Sequence, residues 1–348
     1  MDVYEEYGPI DGYDKFEDLP IMVITAVARF DGRINDIWEM IYLLPITRIK
    51  IKKPTRPVKK IKLPWPGKAG LIMTAKLGDI NRGIFRSITK GEWDNSIMID
   101  ISTSEKNINI KLSRDNIQMT GCKSIAMGVE AANLLINEIN KVAYNIELIR
   151  DNIEEAVRVS NELLEDGIGD MVINGDEPPY IKYSVYGLTN KEDDDKTSSA
   201  LRGFFASQLT DCRTLSDAVK KVRWLLKRQD IVSKELQFIK LQPEMVKYRF
   251  NLGFNIDQDA LYDLFTEIGS EFSVDYHPDV RNYVKIELDC LSGVIGKNGV
   301  IKKHTFSIQP SGQTNYSCPI IEEMSSVYYR FIYIINEIRA DIEVKDAQ

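Results

Sequence analysis

No stretch of these 348 residues approaches the run of about 20 apolar residues that a bilayer-crossing helix needs, so no membrane partner is expected. The opening MDVYEEYGPIDGYDKFEDLP is acidic and has no apolar signal core. Residues 1–19 are read as a flexible arm without a secretory address, and an intracellular setting is expected. Histidine is scarce, with His277 and His304 alone, and the four cysteines, Cys122, Cys212, Cys290 and Cys318, form no CxxC pair. Thiols so spaced are read as buried or indifferent groups of a reducing compartment, and two histidines are not expected to build a zinc site with them. No HExxH string, nucleophile elbow or paired-cysteine metal string occurs. SGVIGKNGVIKK (292–303) lacks the glycine spacing and the Ser/Thr of a phosphate loop, so Asn298-Gly299 is read as a hairpin turn. The expectation is a non-enzyme with no metal and no cofactor. Excess positive charge is missing too. The net charge of -7 argues against nucleic-acid binding over the whole surface, although it leaves room for one basic face.

What is present describes a folded chain. Hydrophobic residues at 43% and charged residues at 28% match globular proteins, and the length suffices for two or three domains. Arg48, Lys50, Lys52, Lys53, Arg56, Lys59, Lys60, Lys62 and Lys68 crowd one segment, which four prolines (Pro54, Pro57, Pro64, Pro66) keep extended. It is read either as a solvated loop or as an arm that contacts phosphate.

Two segments share one order of elements. In the first, IMVITAVARF (21–30) reads as a buried strand, and Asn35 or Asp36 caps a helix through Ile37, Met40, Ile41 and Leu44. Leu71 to Leu77 is a candidate strand. Strands at 97–102 and 108–113, and one continuing through Ile117 and Met119, alternate apolar and polar residues. A long helix through Ile125, Val129, Ala132, Leu135, Ile136 and Ile139 follows. In the second, residues 246–254 form a strand and Asp257 caps a helix that buries Leu261, Leu264, Phe265 and Ile268. Phe272–Tyr276, a strand through Val284, Ile286 and Leu288, a strand through His304, Phe306 and Ile308, a Ser311-Gly312 turn, alternation over 313–317 and a helix over 321–342 complete it. The boundaries are 20–144 for the first repeat, with its basic insertion at 48–68, and 244–348 for the second. Residues 145–243 read as mostly helical (148–164, 199–209, 215–226), with a strand at 180–188 and a charged KEDDDK loop at 191–196.

DNIQMTGCKS (115–124) resembles a hallmark of the TATA-box-binding proteins, a hairpin strand ending in Thr-Gly-Ala-Lys before a long helix. Thr120, Gly121, Cys122 and Lys123 take those places. FSIQPSGQTNYSCP (306–319) matches more loosely, keeping the Ser-Gly turn, and VDYHP (274–278) resembles the Tyr-x-Pro string before the family's third strand. The likeness spans 20–143 and 244–343, and the chain looks like the diverged, enlarged TATA-binding-like proteins of large double-stranded DNA viruses. It implies an α+β fold, with two pseudo-symmetric antiparallel-sheet-plus-helix repeats forming a saddle and a mostly helical insertion between them. It implies a transcription initiation factor on double-stranded, A·T-rich promoter DNA, with transcription factors or RNA polymerase subunits as partners. The setting would be the nucleus, a viral factory or the virion.

The departures bear on mechanism. That family bends DNA with phenylalanine wedges, which unstack bases at a cost of roughly a few kcal/mol per step. Arg281 and Gln309 stand where two of them would be, the hairpin of the first copy offers Leu112 or Ser113, and Phe85 is one candidate survivor. Alternation places Asp100, Asn109, Lys111, Asn116, Gln118, Thr120, Lys285, Glu287, Asp289, Thr305, Ser307, Gln309, Gln313, Asn315 and Ser317 on the open face. Candidate DNA contacts are Asn109, Lys111, Asn116, Gln118, Thr120, Lys123, Arg281, Lys285, Gln309, Gln313, Asn315 and Ser317, with Lys52, Lys53, Lys59 and Lys60 of the basic stretch. The acids on that face support a rival expectation, a saddle-fold interaction or structural module that has lost DNA binding.

Overall fold

Period-two burial organises the sheet strands of this chain, and one-sided helices cover their apolar faces. The computed structural model describes residues 7–47, 64–83, 95–166, 171–172, 180–181, 195–209, 212, 214–269, 271–296 and 298–344. The chain is α+β, with antiparallel sheets and helices. It packs as two units. A carboxy-terminal unit takes the described parts of Met1–Val27, Thr120–Gly128 and Leu241–Gln348, and a central unit takes those of Ala28–Met119 and Val129–Lys240.

In the carboxy-terminal unit, β9 (Gln237–Asn251) enters from residue 241 and is followed by α6 (Gln258–Glu267), β10 (Phe272–Asp275), β11 (Val284–Asp289), β12 (Lys303–Ile308) and β13 (Gln313–Cys318). These strands lie in the order β10-β11-β12-β13-β9, all antiparallel. Val284, Ile286, Phe306, Ile308, Thr314 and Tyr316 point to the core, as the alternation requires. The Phe306 ring is stacked between Tyr316 (centroids 4.2 Å apart) and Phe331 of α7 (Met324–Glu337; 3.9 Å). Each such buried aromatic contributes roughly 1.5–3 kcal/mol. The Asp257 side chain accepts from the backbone N–H groups of Asp259 and Ala260, which caps α6. Gly312 turns β12 into β13 at φ +73°, and a Cβ there would lie 2.3 Å from the Phe254 carbonyl oxygen. The 292–303 segment is a hairpin, with Gly296 N–H donating to the Val300 carbonyl and Lys302 N–H to that of Val294.

Three expectations change in this unit. Of the expected apolar face of α6, Leu261 and Phe265 are buried, Leu264 is half-buried, and Ile268, the C-cap, is 44% exposed because the helix stops at Glu267. The terminal helix read over 321–342 is a 3-10 turn (Ile321–Glu323), α7 and a short α8 (Arg339–Ile342). Residues 7–19 are seated on the unit and do not form a free arm. Phe16 packs on Tyr248 and Tyr328, the Tyr328 hydroxyl donates to the Asp14 carbonyl, the Tyr329 hydroxyl bonds Glu17, and Leu19 is buried. The aromatic and leucine anchors override the acidic composition that suggested flexibility.

In the central unit, α1 (Ile37–Leu43) is capped by Asp36, which accepts from Trp38 and Glu39 N–H. Strands β2 (Ile72–Leu77), β3 (Ile80–Gly83), β4 (Ile97–Ser102), β5 (Asn107–Leu112) and β6 (Asn116–Cys122, to Met119 here) lie in the order β3-β2-β4-β5-β6. β3 was not expected from the sequence; the two-residue Gly78-Asp79 turn folds it onto β2. Strand β1 (Ile21–Asp31), of which residues 28–31 belong to this unit and 21–27 to the other, was read as buried and is one-sided. Ile24, Ala26, Ala28 and Phe30 are buried, whereas Val23, Thr25 and Val27 are half-exposed and Arg29 is exposed.

The described residues of Val129–Lys240, most of the segment expected to be helical, belong with this unit. Helix α2 (Ile125–Asp151) hands over to α3 (Ile153–Asp166), and α4 (Lys196–Leu209) and α5 (Leu215–Leu225) pack on α3. Gln208 of α4 donates to the Leu43 carbonyl, Lys221 of α5 to that of Tyr42, and Arg228 pairs with Glu39. Thr214 and Asp217 form a reciprocal capping box on α5. Tyr180–Ile181 (β8) pairs with Met171–Val172 (β7). The remainder of the 180–188 strand, residues 191–194, Phe85 and the basic stretch through residue 63 lie outside the described residues.

Candidate nucleic-acid interface

The β11, β12, β13 and β9 registers assemble two rows of outward side chains in the carboxy-terminal unit. One runs Asp275, Lys285, Ser307, Asn315, Arg249, and the other Ser273, Glu287, Thr305, Ser317, Lys247. From β11 to β9, every member of both rows is half-exposed, while α6 and α7 residues pack with the buried side. Gln313 pairs with Asn251 one step along, and Gln309 stands at the turn, its N–H donating to the Gln313 carbonyl. The expected Lys285, Gln309, Gln313, Asn315 and Ser317 thus share one side of this sheet.

Lys247 and Arg249 join them and were missed in the sequence. Their signal was present, since Lys247, Arg249 and Asn251 alternate with the buried Val246, Tyr248 and Phe250. Arg249 Nε donates to Asn315 Oδ1 at 3.1 Å. The acids of this face are paired. Glu287 binds Lys285 and, at 3.6 Å, Lys303, and Lys303 also lies 3.9 Å from Asp289. Arg281 is not a free cation, because its guanidinium is held 2.7 Å from Asp275, which also meets His277 at 3.0 Å.

In the central unit the open face is only partly as expected. Asp100 is 2% exposed, not solvated. Thr74 Oγ1 donates to one of its oxygens at 2.6 Å and Asn109 Nδ2 to the other at 3.1 Å. Asn109 is thereby committed to this carboxylate. The neighbouring row is Asn81, Lys76, Met98, Lys111. Ser102 is also buried, since residues 68–71 cross it. Its hydroxyl donates to the Lys68 carbonyl, and Trp65 Nε1 donates to the Thr103 carbonyl nearby. Lys68 and Pro64–Pro66 therefore close over the end of β4 and β5. Asn116 donates to Asp115, and Gln118 is half-exposed. Lys52, Lys53, Lys59 and Lys60 lie outside the described residues.

The Thr120-Gly121-Cys122-Lys123 string falls in the carboxy-terminal unit. Gly121, near the end of β6, has φ +94°, and Thr120 and Lys123 are exposed on either side of the buried Cys122. Ser124 Oγ then accepts from Met127 N–H at the start of α2.

The scattered cysteines do converge, against the sequence expectation. Antiparallel pairing brings Cys290, His304 and Cys318 side by side at the ends of β11, β12 and β13, with their ligand atoms within 4.8 Å of one another. Spacing along the chain did not show this, because the hairpins supply the proximity. Burial pushes both thiols up and the His304 imidazole down. Burial also raises the Glu323 carboxyl, but hydrogen bonds from Ser292, His304 and Leu291 outweigh it and leave it below its ordinary value.

No family model matches the chain, and no curated protein matches it. Among solved structures it is similar to one described as "Methanococcus jannaschii TBP". The identity is 10% and the TM-score 0.38, over 92% of this chain and 98% of that one. No helix among the described residues is long and apolar enough to cross a membrane.

Proposed function

We propose that this chain is a TATA-binding-like transcription initiation factor. Its two strand-helix-strand repeats would form a pseudo-symmetric saddle on A·T-rich promoter DNA, with the helices left to hold transcription factors or polymerase subunits in a nucleus or viral factory. The observation that carries the reading is the pair of cross-strand rows on β11, β12, β13 and β9. Serine, threonine and asparagine hydroxyls and amides stand between Lys285 on one side and Lys247 and Arg249 on the other. Such groups reach sugars and base edges in a groove while the cations meet phosphate. The Thr120–Lys123 string and the repeated element order add support. Arg281 and Gln309 in place of wedging phenylalanines point to a DNA that is bent little.

The test is a Lys247→Ala/Arg249→Ala variant in duplex-binding titrations. Each lost phosphate contact should lower the salt slope by about 0.9. An unchanged slope in the folded variant removes this face from the DNA interface. Asp275, Glu287 and Asp289 on the same face favour a second reading, an interaction module that no longer touches DNA. Pull-downs from nuclease-treated extract discriminate, since partners that vanish with nuclease count against it.

A further inference from the structure

We propose that Cys290, His304 and Cys318 form a structural zinc site in the carboxy-terminal unit. The three residues are 3%, 0% and 1% exposed, so this is a closed site with no solvent-facing position. Their spacing is that of ligands already arranged around an ion. A tetrahedral site with Zn–S of about 2.3 Å and Zn–N of about 2.05 Å has edges of about 3.8 Å between sulfurs and about 3.6 Å between sulfur and nitrogen. Here the two Sγ atoms are 3.7 Å apart, and Cys318 Sγ lies 3.6 Å from His304 Nε2. Glu323 Oε2, 3.2 Å from that same Nε2, is the nearest candidate for the fourth place, where the corresponding edge is about 3.4 Å.

The surroundings prepare these atoms for a metal. His304 Nδ1 and the Tyr316 hydroxyl are 2.7 Å apart, and that hydroxyl reaches the Met324 carbonyl at 3.2 Å. Metal binding takes the tautomer with the proton on Nδ1 and gives up the Nε2–H bond to Glu323; a single donor chain then runs His304 to Tyr316 to Met324 and leaves the Nε2 lone pair facing the thiols. This is the outer-sphere arrangement that fixes a ligating histidine. Cys318 Sγ accepts the Ile320 N–H at 3.2 Å, a bond that strengthens when the sulfur is a thiolate. Glu323 is held by the N–H groups of Leu291 and Ser292, immediately after Cys290. Two soft thiolates and an imidazole select zinc over magnesium or calcium. On binding, the two thiol protons leave to solvent, and the ion ties three strand ends to the turn that leads into α7.

The full chain, stripped of metal under a non-chelating reductant, is titrated with Co2+ and then Zn2+. The expected result is a thiolate-to-cobalt charge-transfer band with the visible bands of a tetrahedral site. It should saturate at one equivalent, be displaced by Zn2+, and survive Cys122→Ser and Cys212→Ser but not Cys290→Ser or Cys318→Ser. Tyr316→Phe keeps the ring stack on Phe306 and serves if a cysteine change collapses the core. It should still bind cobalt, roughly 10- to 100-fold more weakly. The proposal is overturned if the folded wild-type chain gives no thiolate band or if the band depends on Cys122 or Cys212. It is equally overturned if the unreduced chain has lost two free thiols to a Cys290–Cys318 disulfide.

Discussion

Neutralising Glu287 should strengthen DNA binding, an outcome unusual for a single surface change. Glu287 lies on β11 with its side chain 20% exposed and pairs with Lys285 and Lys303. In Glu287→Gln Lys285 loses its carboxylate partner and Lys303 keeps only the longer contact to Asp289, so both turn to phosphate. Two added phosphate contacts steepen the salt slope by about 1.8 in log–log terms, at about 0.9 per contact. Over a fourfold change in salt, from about 50 to about 200 mM, that is about a 12-fold larger loss of affinity than in the wild type. The stability cost is small, because surface pairs of this kind are worth about 0.2–1 kcal/mol each. The assay is fluorescence anisotropy with one duplex at several salt concentrations, beside a urea melt of both proteins. A slope unchanged or shallower than wild type, with the variant folded, would refute a phosphate-facing role for Lys285 and Lys303.

Other consequences follow from packing and charge. Phe331→Ala removes the ring stacked 3.9 Å from Phe306 and should cost about 3–5 kcal/mol in urea unfolding; a loss below about 1 kcal/mol would mean that the stack is not the centre of its unit. Phe16→Ala should cost about 2 kcal/mol, since its half-buried ring pins residues 7–19 to Tyr248 and Tyr328, and a neutral result would return that segment to a free arm. Hydrogen bonds from Arg158 and then Ser198 hold Glu155 at about 2, below its ordinary 4.5. Because the folded value is the lower one, this stabilisation is complete above pH 4.5 and is lost as pH falls toward 2. Solvent screening limits it to about 1 kcal/mol, and Glu155→Gln should differ from wild type in thermal melts at pH 6 but converge with it near pH 2.

Short-range chemistry was legible in the sequence and long-range pairing was not. The β5, β6, β12 and β13 strands were evident because one face of each is apolar, and Asp257, and Asn35 or Asp36, announced their helices as side-chain caps, Asp36 being the one that caps α1. Ser311-Gly312 was readable because a two-residue turn between alternating strands needs a residue free to take positive φ. β1 looked buried throughout, because the half-exposed Val23, Thr25 and Val27 are β-branched strand formers and no charge interrupts the run before Arg29. Asp100 looked solvated because its alternation is right, while its burial depends on Thr74, brought beside it by β2. The Cys290–His304–Cys318 cluster was invisible for the same reason. Cys290 directly follows β11, His304 lies on β12 and Cys318 on β13, and only the register of these strands makes them neighbours.

Binding of the purified chain to A·T-rich and G·C-rich duplexes, followed by fluorescence anisotropy across a salt series, tests the central claim most directly. Tight binding that prefers the A·T-rich duplex and weakens steeply with salt is the predicted result. No binding to either duplex at low salt, with the chain folded and monodisperse, would contradict it.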